Sequence, residues 1–545
     1  MDALAPARDA FAGAARISRR HPDLLFAVGL TVAAALPRLW SLGDVPQGVH
    51  GDEAQFAMDA QRLLDSGWIG VYTPSALGQP AGIAYVSAIG QWLFGATALG
   101  ARLGVALVSI AAVPLAYLLF RLLADRTVAV IAALLLAVSL WHIHLGRVAA
   151  PTALVPTSEL ATLTLWTIGL RRGDWYWFLL AGVSLGLGLY TYTVYPSFVV
   201  AFALWILIYT LVWKRGPGFW LWAHNVAIAA LAAFVTALPL FAYIADPDND
   251  YLSHYRNYYD LYSVPASDAY AQADFGGRVD LIVDQAARFL GAYAWHGTTD
   301  FVDGAAPDGT PMLGPLMLAL LLAGTGLALW RWRETAYPLC LLMVVVLPLT
   351  TVLQTNATYR GPLGAVPFLL FLGALQLAFL WQRAAGFKTG LAIGARAAVV
   401  LVLLLVAYRD LNAYFGAWAR SPGFDWVYAR QISEASVYAQ SLPGRPYVYF
   451  YSSRWSFDYE TRQYLAPDLE GEDRSREFGR RQDYGIDSSR DALFLLLPSY
   501  FGDLALLRRY YIGGEAYVAQ DGDEVLFIAY LVRSPAIPDS ERGAP

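Results

Sequence analysis

The chain has 545 residues, 57% of them hydrophobic and 15% charged. A soluble protein of this size carries about 25% charged residues, so a soluble globular protein is excluded. The net charge of −5 hides a segregation of signs and by itself selects no partner.

The shortfall in charge comes from apolar runs of about 20 residues, the length that crosses a hydrocarbon core of ~30 Å. They fall at 24–42, 80–99, 102–120, 127–145, 151–170, 175–193, 196–213, 222–244, 312–330, 336–354, 361–381 and 389–408. Arg16, Arg19 and Arg20 precede the first run, which contains Ala33-Ala34-Ala35 and leads directly into Arg38 and Trp40. A small-residue cleavage site would look similar. The interfacial aromatic makes this a retained first span.

Short basic loops carry Arg121 and Arg126, Arg171 and Arg172, Lys214 and Arg215, Arg331 and Arg333, then Arg383, Lys388 and Arg396. Excess Lys and Arg marks the cytoplasmic side. Their alternation with loops poor in basic residues works only if one early run does not cross. The run 80–99, with Gln91 and glycines at 82, 90 and 95, is expected to be interfacial or re-entrant. That leaves about eleven crossings, with the N-terminus cytoplasmic and everything after 408 outside. The long external loop 245–311 is rich in Asp and holds an amphipathic stretch at 279–295, expected to lie on the membrane.

From about 410 the composition becomes that of a soluble domain. Asp425 to Gln440 predicts a helix, Pro446 to Tyr451 and Ala492 to Leu497 predict buried strands, and 467–490 predicts a charged loop. Ala516 to Ala519 and Val525 to Val532 predict a hairpin through Asp521-Gly522-Asp523. The expected domains are a transmembrane module, 1–410, and an extracytoplasmic α/β domain, 411–545.

Several side chains could carry chemistry. Asp52 and Glu53 follow the turn Pro46-Gln47-Gly48 in the first external loop. They suit a helix start, where acidic residues are favoured, or a base that takes a proton from an acceptor. Arg38, Arg147 and Arg360 stand at external span ends. They could snorkel or hold a lipid phosphate, for which the planar, permanently charged guanidinium is suited. Glu159, inside the run 151–170, is either a packed, hydrogen-bonded group or functional. Tyr190, Tyr192 and Tyr195 read as an aromatic belt or as a sugar-stacking surface. His142 and His144 are two apart and point in different directions on a helix, so no metal site is expected. His50 and His296 are external loop residues. The lone Cys340 forms no internal disulfide. No Gly-rich phosphate loop is present, which argues against ATP-driven transport, and no basic, aromatic-interleaved patch suggests nucleic acid.

Taken in order, Arg38, the stretch Pro46-Gln47-Gly48-Val49-His50-Gly51-Asp52-Glu53-Ala54, Ala101-Arg102-Leu103, and Leu145-Gly146-Arg147 followed by Pro151 resemble the GT-C glycosyltransferases related to glycosyltransferase family 39. That group includes protein O-mannosyltransferases and lipid A aminoarabinose transferases. Gly186 to Tyr192, His296-Gly297, Met312 to Gly314, and Arg360 to Pro367 fit later parts of the pattern in its uncharacterised bacterial branch. The resemblance covers roughly residues 24–410 and is strongest over 38–196.

The resemblance implies an inverting glycosyltransferase of the bacterial inner membrane, with a polyprenyl-phosphate sugar as donor and a protein, lipid or glycan as acceptor. It needs no cofactor. Asp52 would be the general base, and Arg147, Arg38 and Arg360 would hold the donor phosphate. Glu53, Tyr192 and His296 would line the site. The sequence departs from the family where Val-Ala-Ala-Pro-Thr-Ala follows Arg147 and where Gly78-Gln79-Pro80 stands in place of Lys-Pro-Pro. A transporter or flippase of lipid-linked saccharides is the rival. It would need a polar path through the bilayer, and Glu159 alone is a clear buried charge. A structural subunit whose tail does the work is the third reading.

Overall fold

The computed structural model describes residues 22–214, 218–249, 251, 263–297, 310–354, 360–420, 427–475 and 485–534. The chain groups into two compact units. The first comprises Met1–Trp40, Ile69–Ile83 and Leu103–Arg420, and the second Ser41–Trp68, Ala84–Arg102 and Ser421–Pro545. This grouping does not follow a single cut at 410. The helix Thr389–Leu411 runs on through a π-helical turn, Asn412–Ala417, and the first external segment groups with the tail.

The first unit is helical and membrane-spanning. Among the described residues six helices are long and apolar enough to cross a bilayer: Pro22–Leu39, Ala98–Leu123, Pro196–Trp213, Phe219–Ala245, Gly361–Gly386 and Thr389–Ala417. Trp175–Gly188, Gly314–Trp330 and Ala336–Val352 are shorter apolar helices, as is Gly82–Phe94, most of which groups with the second unit. The helix Leu154–Arg172 carries Glu159 in the run expected at 151–170. Small residues let helices approach closely. A Cβ on Gly182 would strike the Ala229 carbonyl, and one on Gly324 would strike that of Leu372. A short antiparallel pair, β1 (Tyr72–Thr73) and β2 (Gln79–Pro80), also belongs to this unit.

Asp23, at the start of the first span, receives Tyr117 Oη at 2.7 Å, Arg126 Nε at 3.0 Å and Arg121 Nε at 3.3 Å. The first span therefore begins beside the end of the helix Ala98–Leu123. Arg38, near its other end, reaches Ser109 of that helix. The two helices run antiparallel, so the segment joining them leaves and returns on one side. The run 80–99 holds the helix Gly82–Phe94, which has only 13 residues.

The run expected at 127–145 is broken. Arg126–Val138 and Leu140–Arg147 are bent by 53° at Ser139. A break frees backbone groups that lipid cannot satisfy. Arg38 Nη2 donates to Leu136 O at 3.2 Å and Nη1 to Ala137 O at 2.9 Å. Asp410 Oδ2 accepts the Leu140 N–H at 3.0 Å.

The amphipathic stretch forms the helix Phe275–Gly291, capped by Asp274 and continued by a π turn, Ala292–His296. Phe275, Val279, Val283 and Leu290 on it are exposed apolar side chains.

In the second unit the tail folds as a five-stranded sheet of order β4-β3-β5-β7-β6. Its strands are β3 (Tyr447–Tyr451), β4 (Gly471–Asp473), β5 (Ala492–Leu496), β6 (Glu515–Asp521) and β7 (Glu524–Val532). β3 pairs parallel with β4 and β5, and β7 pairs antiparallel with β5 and β6. Alternate residues of β3 and β5 enter two cores, Val448, Phe450, Leu493 and Leu495 on one face and Tyr449, Tyr451, Phe494 and Leu496 on the other. This is the period-2 rule for a sheet covered on both sides. Arg430–Ser441 supplies Ile432, Ala435 and Ala439 to the first core. The expected hairpin turns at Gly522 with φ +60°. The expected loop 467–490 is corrected at Gly471–Asp473, which forms an edge strand, and residues 476–484 lie outside the described ones.

Candidate active site

In the second unit, the turn Pro46-Gln47-Gly48-Val49-His50 leads into the helix Gly51–Ser66. His50 is its N-cap. Its Nδ1 accepts the Asp52 N–H at 3.0 Å, and Glu53 Oε2 accepts the His50 N–H at 3.0 Å. This reciprocal arrangement is a capping box with histidine in the usual Ser/Thr place.

The two acidic residues part company here. Glu53 is buried, and its carboxylate takes Arg102 Nε and Nη2, each at 3.0 Å. Arg102 is itself fully buried and also donates to the carbonyls of Pro46 and Gly48 at 2.7 Å and of Leu42 at 3.4 Å. Glu53 was expected to line a substrate site. Its oxygens instead close the turn, which corrects that expectation. Asp52, by contrast, keeps a side chain 37% exposed, with His50 Nδ1 3.9 Å away.

The tail holds this turn. Ser433 Oγ accepts the Val49 N–H at 3.1 Å, and Thr461 Oγ1 donates to Val49 O at 2.8 Å. Gln55 Nε2 donates to Glu460 Oε1 at 2.9 Å. Gly48, with φ +81°, lies against Tyr428 and Arg430. Tyr464 Oη donates to Thr97 O at 2.9 Å. Burial, then the Glu53 carboxylate, pushes the Tyr464 phenol up, so it stays a neutral donor.

In the first unit, Arg38 and Arg147 are neighbours and both fully buried. Arg38 Nε donates to Ser109 Oγ at 3.0 Å. Its Nη1 donates to Ala34 O at 3.0 Å and to Ala137 O, and its Nη2 to Leu136 O and to His142 Nδ1 at 2.8 Å. A guanidinium has five N–H donors, and these five bonds use them all. Arg38 is thus a brace for the broken helix, with no donor left for a phosphate. Arg147 Nη1 donates to Pro37 O at 2.7 Å, and its guanidinium lies 5.1 Å from the Phe415 ring and 5.7 Å from the Tyr414 ring. Both rings belong to the π-helical turn, an irregularity frequent at functional sites.

Arg360 begins the 3-10 turn Gly361–Ala365, and its carbonyl accepts Thr152 Oγ1 at 2.7 Å. Glu159 is buried and presses on Gly364 of that turn, where a Cβ would strike its carboxylate. Tyr195 is fully buried, its ring 5.4 Å from Phe198, and Tyr190 Oη donates to Thr236 O at 2.9 Å. Packing therefore accounts for these two. Tyr192 is half-buried in the same turn. His296 folds back on its own π turn, with Nδ1 3.1 Å from Gly297 O and Nε2 against Gly291. The structure thus brings Arg38 beside Arg147, and joins Arg360 through its backbone to Thr152.

Sequence reasoning gave no role to Arg102, to the braces Ser109 and His142, or to the aromatic cover of Arg147. Arg102 had a signal, a charge opening a membrane run. The others had none, because their roles depend on residues distant in the chain. Among the described residues no cluster of three or more His, Cys, Asp or Glu side chains could hold a metal ion.

Residues 30–247 match the family described as dolichyl-phosphate-mannose-protein mannosyltransferase. The fold is similar to that of ArnT from Cupriavidus metallidurans bound to undecaprenyl phosphate, with TM-score 0.55, 15% identity and coverage of 96% of this chain and 99% of that one. The apo form of ArnT gives TM-score 0.52 and 16% identity, over 95% and 99% of the two chains. The archaeal oligosaccharyltransferase AglB from Archaeoglobus fulgidus, in complex with an inhibitory peptide and a dolichol-phosphate, gives TM-score 0.55 at 13% identity, over 96% of this chain and 75% of that one. The chain is therefore a multi-pass membrane protein with the GT-C glycosyltransferase fold, carrying the mannosyltransferase-family match over residues 30–247.

Proposed function

We propose that the protein is an inverting glycosyltransferase that moves a sugar from a polyprenyl-phosphate donor to a protein, lipid or glycan acceptor. The active side faces away from the cytoplasm of a bacterial inner membrane, with the N-terminus cytoplasmic and the tail outside. The family match over 30–247 and the lipid phosphates bound by the similar structures support this reading. The observation that carries the site assignment is the division of labour at 52–53. Glu53 is consumed by Arg102, while Asp52 stays half-exposed on the first turn of a rigidly capped helix.

In the proposed reaction Asp52 takes the proton from the acceptor hydroxyl or amine. The acceptor atom bonds to the anomeric carbon as the bond from that carbon to the phosphate oxygen breaks. The polyprenyl phosphate leaves, and the single displacement inverts the centre. Arg147 and Arg360 stabilise the charge that develops on the leaving phosphate. Arg38 is left out of that set because its donors are occupied. Arg147 is covered by Tyr414 and Phe415, so the proposal requires the turn Asn412–Ala417 to move when donor binds.

The test is transfer by membrane vesicles carrying the full chain, supplied with undecaprenyl-phosphate-linked hexoses and pentoses. Asp52→Asn should lower turnover by about 10²–10⁴-fold with folding retained. Full turnover in that variant removes the base assignment.

A further inference from the structure

The tail reaches the turn that carries Asp52, and the reaction above gives it no part. Tyr459 stands at the N-cap of the helix Glu460–Leu465 and is half-buried. Its hydroxyl lies against Gly51, so closely that a Cβ on Gly51 would sit 2.8 Å from the phenol oxygen. The Gly51 backbone amide acts on that phenol as a nearby dipole and opposes its upward shift. Gly51 is the first residue of the helix that bears Asp52, so its N–H belongs to the group a helix cannot satisfy internally. A side chain from the tail thus lies against the residue directly before the proposed base.

The attachment has several points. The Val49 bonds to Ser433 and Thr461 and the Gln55 bond to Glu460 flank the contact on both sides. The charged and titratable groups about this turn include His50, Asp52, Glu53 with its partner Arg102, Tyr428, Arg430, Arg454 and Glu460. Burial, with the carboxylates of Glu460 and Asp52, pushes the Tyr459 phenol up, and Arg454 opposes them. The hydroxyl therefore stays protonated.

We propose that Tyr459 is a positioning residue for Asp52, fixing the backbone at Gly51 and hence the direction of the neighbouring carboxylate, so that the tail completes the catalytic turn. This rests on the reading of Asp52 as the base. A merely structural tyrosine would need its ring, whereas a positioning one needs its hydroxyl.

Tyr459→Phe separates the two. In membrane vesicles given the undecaprenyl-phosphate sugars, turnover should fall about tenfold or more, since small misplacements of a reacting group are costly. The donor KM should stay within about twofold of wild type, as a change confined to the transition state predicts. In the Asp52→Asn background the same substitution should cost nothing further, because the two residues act as one unit. Wild-type turnover in Tyr459→Phe overturns the proposal, and so does an equal loss in the Asp52→Asn background. Should Tyr459→Phe not accumulate as folded protein, Gly51→Ala displaces the phenol from the opposite side. Gly51→Ala must then show the same loss of turnover with folding retained, and wild-type turnover there overturns the proposal. Full turnover in Asp52→Asn alone would instead remove the base reading, a separate result.

Discussion

The carboxylate of Glu53 and the guanidinium of Arg102 form a two-pronged ion pair, with both N–O distances 3.0 Å. Both side chains are buried, at 3% and 0% exposure. Arg102 also carries the carbonyls of Leu42, Pro46 and Gly48, so it gathers the whole turn before Asp52.

Removing one partner of a buried pair leaves an uncompensated charge, at a cost of about 3–5 kcal/mol. Arg102→Ala should therefore lower the thermal midpoint of the detergent-solubilised protein and abolish turnover together. Replacing both partners by apolar residues, Glu53→Leu with Arg102→Met, should recover part of that loss only. The ion pair can be exchanged for apolar packing, but the three carbonyls keep no donor. Full recovery of stability in the double variant would mean the carbonyl contacts contribute nothing.

Gly48 has φ +81°, and a Cβ there would meet Arg430 Cα at 2.8 Å. The neighbours are backbone atoms of the tail and cannot rotate away. Gly48→Ala adds strain from the left-handed conformation to an overpacked contact, each about 1–3 kcal/mol. The expected outcome is faster proteolytic cleavage within 421–545 and a lower thermal midpoint. Wild-type protease resistance would contradict the packing described.

Arg38 and Arg147 should separate in experiment although they adjoin. Arg38→Lys leaves three donors for five acceptors around the break at Ser139. Each buried carbonyl left unsatisfied costs about 1–3 kcal/mol. The variant should lose folded yield and thermal stability, and its donor KM should be unchanged in whatever protein survives.

Arg147→Lys keeps the charge and loses the planar fork. Under the proposed mechanism it should raise donor KM or slow phosphate departure, while Arg147→Ala should lower kcat/KM by about 10²-fold or more. Titrating undecaprenyl-phosphate sugars against each variant decides this. Unchanged kinetics in Arg147→Ala would leave it a packing role, with Pro37, Tyr414 and Phe415 among its contacts.

Phe415→Ala tests the cover. It should expose the Arg147 guanidinium and lower donor KM if the rings must move for donor to enter, because a conformational cost on binding is removed. A raised donor KM would instead mark Phe415 as a direct contact.

The amino-acid sequence determined what depends on local pattern. Apolar runs of membrane length, charge alternation and the Asp52-Glu53 turn are all written in neighbouring residues. The hairpin at Gly522 and the buried strands Tyr447–Tyr451 and Ala492–Leu496 were legible for the same reason. Tertiary structure alone decided which charges are occupied. Glu53 and Asp52 are adjacent and chemically alike, and only the arrival of Arg102 from another helix separates brace from candidate base. Arg38 and Arg147 look equivalent until Ala34, Ser109, Leu136, Ala137 and His142 take up every donor of Arg38. Hydrogen bonding saturates, and no sequence pattern records where the distant partner of a buried charge will sit.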